Sequence, residues 1–160
     1  MIPGKLVRFL EQHATVAFAG LRNGDLVPFG HRVSGWRVGA DQRTITIFFP
    51  DDFLQGLIEL LQQNGELAVT VEEISSHETY QFKGRYRQHR EVNEDDLDIV
   101  NRIRHRFARS LKALYHNVPE DVLREFVSPA SLAVEFEVQE IYLQTPGPGA
   151  GTRLIPSTEG

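Results

Sequence analysis

The sequence predicts a mainly β domain of the α+β class, in which about six antiparallel strands form a small closed or half-closed barrel capped by helices. Three observations predict this fold. Short segments of alternating apolar and polar residues recur along the chain, and glycine, proline or Asn-Gly pairs separate them. Only two segments have the longer period of a substantial helix, one between strands and one before the last strand. A doubly wound α/β sheet therefore fits poorly.

The first part of the chain predicts a short helix and a hairpin. Apolar residues at helical spacing over 6–10 are followed by a β-rich segment over 15–19. Asn23-Gly24 is the pair that best tolerates the positive φ angles of a tight hairpin turn, so a second strand is expected to start near Leu26. This strand would reach Val38 and be bent, because it contains residues that weaken strand interiors: Pro28, Gly30 and Gly35.

The middle of the chain has the clearest alternation. Over 44–49, Ile45, Ile47 and Phe49 share one face and the residues between them share the other, which predicts a strand. A helix is predicted from Phe53 to the Asn64-Gly65 stop signal. Two further strands are predicted over 67–71 and 79–87.

After Asn93 the apolar residues recur at steps of three and four, which predicts a helical insert near 93–127. Alternation over 132–138 predicts the last strand of the sheet. We expect a single domain over 1–145, since about 100–200 residues is usual for one domain. Residues 146–160 are rich in glycine and proline at their start and are expected to form an irregular C-terminal tail.

Composition excludes several classes of function. The chain has no cysteine, which rules out disulfides, thiolate metal sites and thiol nucleophiles and favours a reducing, cytoplasmic location. Its formal net charge of −5 gives no overall attraction for nucleic acid. No apolar run approaches the roughly 18–20 residues that span a bilayer. Lys5 and Arg8 interrupt the first apolar residues, so a secretory signal is not expected.

No motif for metal or nucleophilic catalysis stands out, and no catalytic residue is assigned. The six histidines form no pair at metal-ligand spacing, so no metal site is predicted. His31 and His77 are of more interest than the others because they fall at predicted strand edges. Val33-Ser34-Gly35 lies in a strand pattern rather than at the strand-to-helix turn of a serine hydrolase.

Two groups of cations could hold an anion. A strand pattern places Lys83, Arg85, Arg87 and His89 on one face, where they would either grip a phosphate or form the solvated outside of the barrel or a dimer contact. The second group lies on the predicted insert helix and is interpreted as its solvent-exposed face: Arg102, Arg106 and Arg109.

Several strings resemble the pyridoxamine 5'-phosphate oxidase-like family of FMN-binding split barrels. The resemblance covers most of residues 5–151. The ending over 142–151 is similar to that of a small uncharacterised subgroup. The matching strings are His31-Arg32-Val33-Ser34-Gly35, the strand over 44–49 running into Pro50 and a helix, the segment 64–70 and the segment 77–85.

The resemblance implies a split β-barrel homodimer that holds FMN in a cleft between its two chains. By position, Arg32, Val33 and Ser34 would edge the flavin, and Phe49 and Pro50 would pass behind it. The strand from Thr79 to Gln81 would face its ring. Phe53-Leu54-Gln55 replaces the Ser-Arg-Lys string with which the oxidases bind phosphate, which leaves Gln55 at that position and Arg85 or Arg87 as the substitute cation.

The expected function is that of an FMN-binding flavoprotein and oxidoreductase of unknown substrate, with the flavin performing hydride or electron transfer. Oxidation of pyridoxamine phosphate is specifically not predicted. Two alternatives remain at this point. One is a non-catalytic split-barrel dimer that binds haem or another planar ligand. The other is a partner-binding scaffold whose cleft the helical insert closes.

Overall fold

A computed structural model describes residues 1–51 and 56–154. In those residues the chain forms four helices and seven strands. In chain order they are α1 (Gly4–Gln12), β1 (Thr15–Arg22), β2 (Pro28–Arg32), β3 (Gly35–Val38), β4 (Thr44–Pro50), α2 (Leu57–Asn64), β5 (Glu66–Glu73), β6 (Thr79–Glu91), α3 (Glu94–Leu114), α4 (Glu120–Arg124) and β7 (Ala130–Leu143).

All seven strands belong to one antiparallel sheet in the order β2-β1-β5-β6-β7-β4-β3. The two edge strands, β2 and β3, are consecutive in the chain and are joined by Val33 and Ser34. The Val33 N–H donates to the carbonyl of Ala17 in β1 (3.0 Å), and the Ser34 N–H donates to the carbonyl of Phe48 in β4 (2.7 Å). The chain therefore passes from one edge of the sheet to the other, so that β2 and β3 act as one bent strand that closes a six-stranded barrel.

The barrel interior is filled by large apolar side chains from alternate strand positions. Phe49, Phe82 and Phe136 are fully buried there, and Ile47 and Ile141 pack with them. Helix α1 covers one end through its apolar face. The Trp36 Nε1–H donates to the carbonyl of Leu10 in that helix (2.9 Å), which ties α1 to β3. The predicted mainly β split barrel with capping helices is confirmed.

Helix α3 packs on the outside of the barrel, and with α4 it occupies the segment predicted as a helical insert. Its Val100 forms a second small core with Phe48, Ala130 and Ala133 on the outer face of β4 and β7. Phe48 is therefore buried although it lies on the opposite face of β4 from Phe49. The helix also demands close approach at β3, where a Cβ on Gly35 would lie 3.0 Å from the Ile103 side chain.

The chain after β7 folds back along this strand. The N–H of Gly151 donates to the carbonyl of Leu143 (2.7 Å), and the N–H of Leu154 donates to that of Ile141 (2.7 Å). The Arg153 guanidinium also pairs with Glu140 at 2.8 Å. The predicted tail is thus docked as far as Leu154, the last described residue.

One sequence prediction falls partly outside the described residues, and one is matched by the helices that the structure describes. Helix α2 begins at Leu57, and the predicted helical start at Phe53 lies outside the described residues. Among the helices of the described ranges, none combines the length and the apolar character needed to cross a membrane.

Candidate functional site

The predicted site residues form two separate groups on the barrel. The first group surrounds the bend between β2 and β3, where Arg32, Val33 and Ser34 lie beside the end of β4 with Phe49 and Pro50. The second group lies on β6 and contains Thr79, Gln81 and Arg85. Gln55 lies outside the described residues.

Arg32 is a half-buried cation without a carboxylate partner in the described ranges. Its guanidinium carbon lies 5.2 Å from the ring centroid of Phe107 in α3. Burial lowers the pKa of Arg32 from its usual value, because desolvation disfavours the charged form. A cation–π contact leaves guanidinium N–H groups able to donate to an anion. Arg32 is thus a charge that the described protein only partly compensates.

Ser34 is the next buried polar group along the bend. It is 2% exposed, and its hydroxyl has no hydrogen-bond partner among the described residues. Buried polar atoms are nearly always hydrogen-bonded, so an orphaned hydroxyl calls for an explanation. Val33 and Phe49 are buried in the barrel core behind it, and Pro50 is buried at the end of β4. Arg32 and Ser34 are therefore two nearby donors that lie against apolar side chains. Among the described residues, Arg32 has no carboxylate partner and the Ser34 hydroxyl has no acceptor.

The β6 group is held by neighbouring strands and turns. Thr79 donates from its hydroxyl to the carbonyl of His77 (2.8 Å), and Gln81 donates from Nε2 to the Thr70 hydroxyl (3.0 Å). Arg85 is exposed, lies 3.6 Å from the Glu66 carboxylate and donates to the carbonyl of Asn64 (3.3 Å). Arg85 therefore has a carboxylate neighbour, unlike Arg32, although Glu66 also pairs with Arg22 at 2.6 Å.

The two groups do not meet within one chain. Strand register places Arg32 opposite Phe18, Phe18 opposite Thr70, and Thr70 opposite Gln81. Arg32 and Gln81 are thus three strands apart on the outer face, about 14 Å at the usual strand spacing. A ligand much shorter than this distance would contact only one of the two groups on a single chain.

The predicted row of cations on β6 is wrong for His89. A bulge at Arg87 shifts the register, so Tyr86 pairs with Phe136 and His89 pairs with Val134 on the same face. The ring nitrogen Nδ1 of His89 lies 2.6 Å from the Tyr86 hydroxyl. Alternation from a flat strand cannot anticipate an extra residue, which explains the error.

The other members of this row have partners on the barrel surface. Arg87 forms an ion pair with Glu137, and the Lys83 ammonium lies 4.7 Å from the Tyr142 ring centroid. With Arg85 beside Glu66, the arrangement fits the solvated outside of a strand better than a phosphate grip.

The two histidines of interest hold local turns. Nδ1 of His31 lies 2.6 Å from the carbonyl of Arg32, and Nδ1 of His77 lies 2.7 Å from a Glu72 carboxylate oxygen. The part of the chain that the structure describes contains no group of three or more potential metal-ligating side chains.

Sequence reasoning missed two aromatic residues near these groups. Phe107 belongs to the apolar stripe of α3, which was visible as helical spacing, but that spacing does not reveal that the ring covers Arg32. Phe18 is 53% exposed on the outer face of β1, between the two groups. A groove of about 420 Å³ lies further along these strands, and its lining includes Gly20, Ala68 and Gly84.

Comparison with known proteins supports the fold. The sequence matches no protein-family model and no curated protein. Among solved structures, HupZ of Group A Streptococcus has a TM-score of 0.54 at 14% identity, over 94% of this chain and 100% of the other. A putative pyridoxamine 5'-phosphate oxidase from Lactobacillus delbrueckii has a TM-score of 0.52 at 10% identity, over 88% of this chain and 93% of the other.

A third similar structure comes from Clostridium acetobutylicum. It is a protein related to general stress protein 26 of B. subtilis, of the pyridoxinephosphate oxidase family, with a TM-score of 0.50 at 10% identity over 96% of this chain and 90% of the other. At such low identities the likeness concerns the fold. The chain therefore has the fold of the pyridoxamine 5'-phosphate oxidase-like proteins, as the sequence resemblance implies.

Proposed function

We propose that this chain is an FMN-binding flavoprotein that acts as an oxidoreductase and works as a homodimer. The observation that carries the proposal is the pair of adjacent donors at the β2–β3 bend, the Arg32 guanidinium without a carboxylate partner and the buried Ser34 hydroxyl without an acceptor in the described ranges. The fold shared with a putative pyridoxamine 5'-phosphate oxidase supports the cofactor.

The residues at the bend fit an anionic cofactor. A guanidinium presents paired N–H groups that match phosphate oxygens, and a serine hydroxyl adds a further donor. Arg32 and Ser34 would hold the phosphate, and Val33, Phe49 and Pro50 would support it from behind. When bound, FMN supplies hydride or electron transfer, and the protein supplies binding, orientation and electrostatics.

A homodimer would bring the two groups of site residues together. Thr79, Gln81 and Arg85 lie three strands from Arg32 in one chain, so their counterparts on a second copy are better placed to complete a shared cleft. The exposed Phe18 on the intervening face is the apolar contact that such a dimer would bury.

The direct test of the cofactor is equilibrium binding of FMN, followed by absorption and flavin fluorescence. We expect Arg32→Gln to weaken FMN binding about tenfold or more, because a hydrogen bond to a charged group contributes about 1.5–3 kcal/mol. Ser34→Ala is expected to weaken it less. Arg43→Gln is the matched control, since Arg43 is an exposed arginine in the turn before β4.

The same measurement separates the alternatives. A flavin spectrum that survives removal of free FMN, with affinity lowered by Arg32→Gln and unchanged in the control, supports the proposal. Equal FMN affinity in Arg32→Gln and the native chain would remove Arg32 from the site. A chain that binds haem instead of FMN, or binds neither, would refute the flavoprotein assignment.

The dimer is tested by native mass as a function of concentration. Phe18→Asp is expected to shift the chain from dimer to monomer, because it places an unpaired carboxylate in the apolar contact. Phe126→Asp is a closely matched control, since Phe126 is 54% exposed but lies next to α4, away from this face. Dimers of equal stability in both variants would place the interface elsewhere.

A further inference from the structure

A second cleft, distinct in its lining from the β2–β3 bend, lies between α1, β3 and α3. Its volume is about 370 Å³, at the small end of the usual range for ligand pockets. Its apolar lining comes from all three elements: Leu10, Trp36, Val38, Ile99 and Ile103. The cleft thus offers an apolar wall to a small molecule.

Cations stand at the edge of this apolar wall. Arg102 and Arg106 line the cleft from one side of α3, four residues apart, so that their side chains are neighbours on the helix. Arg37 also lines it, but lies 3.5 Å from the buried carboxylate of Asp96 and is therefore paired. In the described ranges, neither Arg102 nor Arg106 lies within ion-pair distance of a carboxylate.

The proximity of Arg102 and Arg106 is electrostatically unfavourable. Burial lowers the pKa of Arg106, and the nearby charge of Arg102 lowers it further, because desolvation and a like charge both disfavour the charged form of Arg106. Like charges four residues apart on a helix repel each other and destabilise it. The Arg106 guanidinium donates to the carbonyl of His13 (3.3 Å), which orients it without neutralising it.

Glu11 is the acidic side chain in the lining, and it forms no ion pair with either arginine among the described residues. The two unpaired guanidiniums therefore outweigh it, although the chain as a whole has a formal net charge of −5. A local positive charge beside an apolar wall, on an acidic protein, complements a ligand that is apolar at one end and anionic at the other.

We propose that this cleft binds a small amphipathic anion, whose apolar part lies against Trp36, Ile99 and Ile103 and whose carboxylate or phosphate is held by Arg102 and Arg106. The inference does not depend on flavin binding, because none of these residues belongs to the Arg32–Ser34 site. It also revises the interpretation of Arg102 and Arg106 as a merely solvent-exposed helix face.

The single tryptophan of the chain makes the test direct. Trp36 lines the cleft, so intrinsic tryptophan fluorescence of the full chain reports on it alone. Titration with sodium octanoate is expected to change the emission saturably. Octyl phosphate tests the other head group, and 1-octanol, which has the same alkyl chain without the charge, is expected to bind at least tenfold more weakly than the better anion.

Substitutions locate the anion-binding groups. Arg102→Gln/Arg106→Gln is expected to lower the affinity for the anion about tenfold, towards that of 1-octanol, while circular dichroism stays unchanged. Arg109→Gln is the control, because Arg109 is exposed on the same helix but does not line the cleft. Its affinity should equal that of the native chain.

Three results would overturn the proposal. One is the absence of a saturable change with either anion. Another is equal affinity for 1-octanol and the anions, which would make the cleft a non-specific apolar surface. The third is an equal loss in Arg109→Gln and the double variant, which would indicate a general effect of net charge.

Discussion

Replacement of Gly84 by alanine is expected to lower the free energy of unfolding by about 3 kcal/mol or more, which is the upper part of the usual range for overpacked sites. Gly84 lies in β6 beside an irregularity in its pairing with β7. A Cβ at this position would overlap the backbone carbonyl of Glu137 and would lie 3.0 Å from the Phe136 ring. A carbonyl in a paired strand cannot rotate away as a side chain can, so the sheet itself must shift.

Urea unfolding followed by circular dichroism measures this effect. Gly24→Ala is the matched control, because a Cβ there would meet nothing within 4 Å. We expect the control to change stability by less than about 0.5 kcal/mol, as is usual for surface substitutions. Similar stabilities for the two variants would mean that β6 and β7 are not packed as tightly as described.

Asp96→Asn is expected to destabilise the chain by about 2 kcal/mol, because hydrogen bonds to a charged group contribute about 1.5–3 kcal/mol and the Arg90 side chain that remains is 43% exposed. Asp96 is fully buried, and its carboxylate accepts hydrogen bonds from the Arg90 guanidinium (2.5 and 3.1 Å) and from the backbone N–H of Asn93 (3.0 Å). The Asn93 side chain in turn accepts from the Asp96 N–H, which completes a capping box at the start of α3. One carboxylate thus fixes the insert helix to the end of β6.

The matched control is Asp95→Asn, an exposed neighbour in the same helical turn.

The dependence of the free energy of unfolding on pH gives a second readout of the Asp96 pair. Desolvation raises the pKa of Asp96, but hydrogen bonds from Arg90 and Asn93 outweigh it, so that the pKa is lowered from its usual value. A lowered folded-state pKa contributes stability above the unfolded pKa of about 3.9 and loses it as pH falls through the folded value. The stability difference between the native chain and Asp96→Asn should therefore be largest near neutral pH and shrink below about pH 4. A difference that is constant with pH would contradict the ionised pair.

Local sequence patterns predicted the strands and helices that bury one face against the core. The alternation of Ile45, Ile47 and Phe49 correctly indicated β4, and the three- and four-residue steps after Asn93 correctly indicated α3. The bend was expected around Pro28, Gly30 and Gly35, whereas the structure places it at Val33 and Ser34, between β2 and β3. Its closing role was not predicted, because it depends on hydrogen bonds to β1 and β4 rather than on residues nearby in the sequence.

The site was predicted less completely than the fold. The resemblance named Arg32 and Ser34 as cofactor-binding residues, which stays a prediction, whereas the orphaned Ser34 hydroxyl could be seen only in the structure. The cleft between α1, β3 and α3 combines Leu10, Trp36 and Arg106, which are separated by long stretches of chain. Residues of this kind share no sequence pattern, since tertiary packing alone brings them together.

The barrel closes at the β2–β3 bend, where the chain itself continues from one edge of the sheet to the other and where Val33 and Ser34 donate backbone hydrogen bonds to β1 and β4. On either side of the bend, β2 pairs with β1 and β3 pairs with β4 in regular antiparallel ladders, so the bend is the point at which the two edges of the described sheet are joined. A ligand anchored by Arg32 and Ser34 would bind at the point where the two edges of the sheet are joined. Because a ligand that binds only the folded state stabilises it, occupancy of this position would stabilise the whole barrel against unfolding.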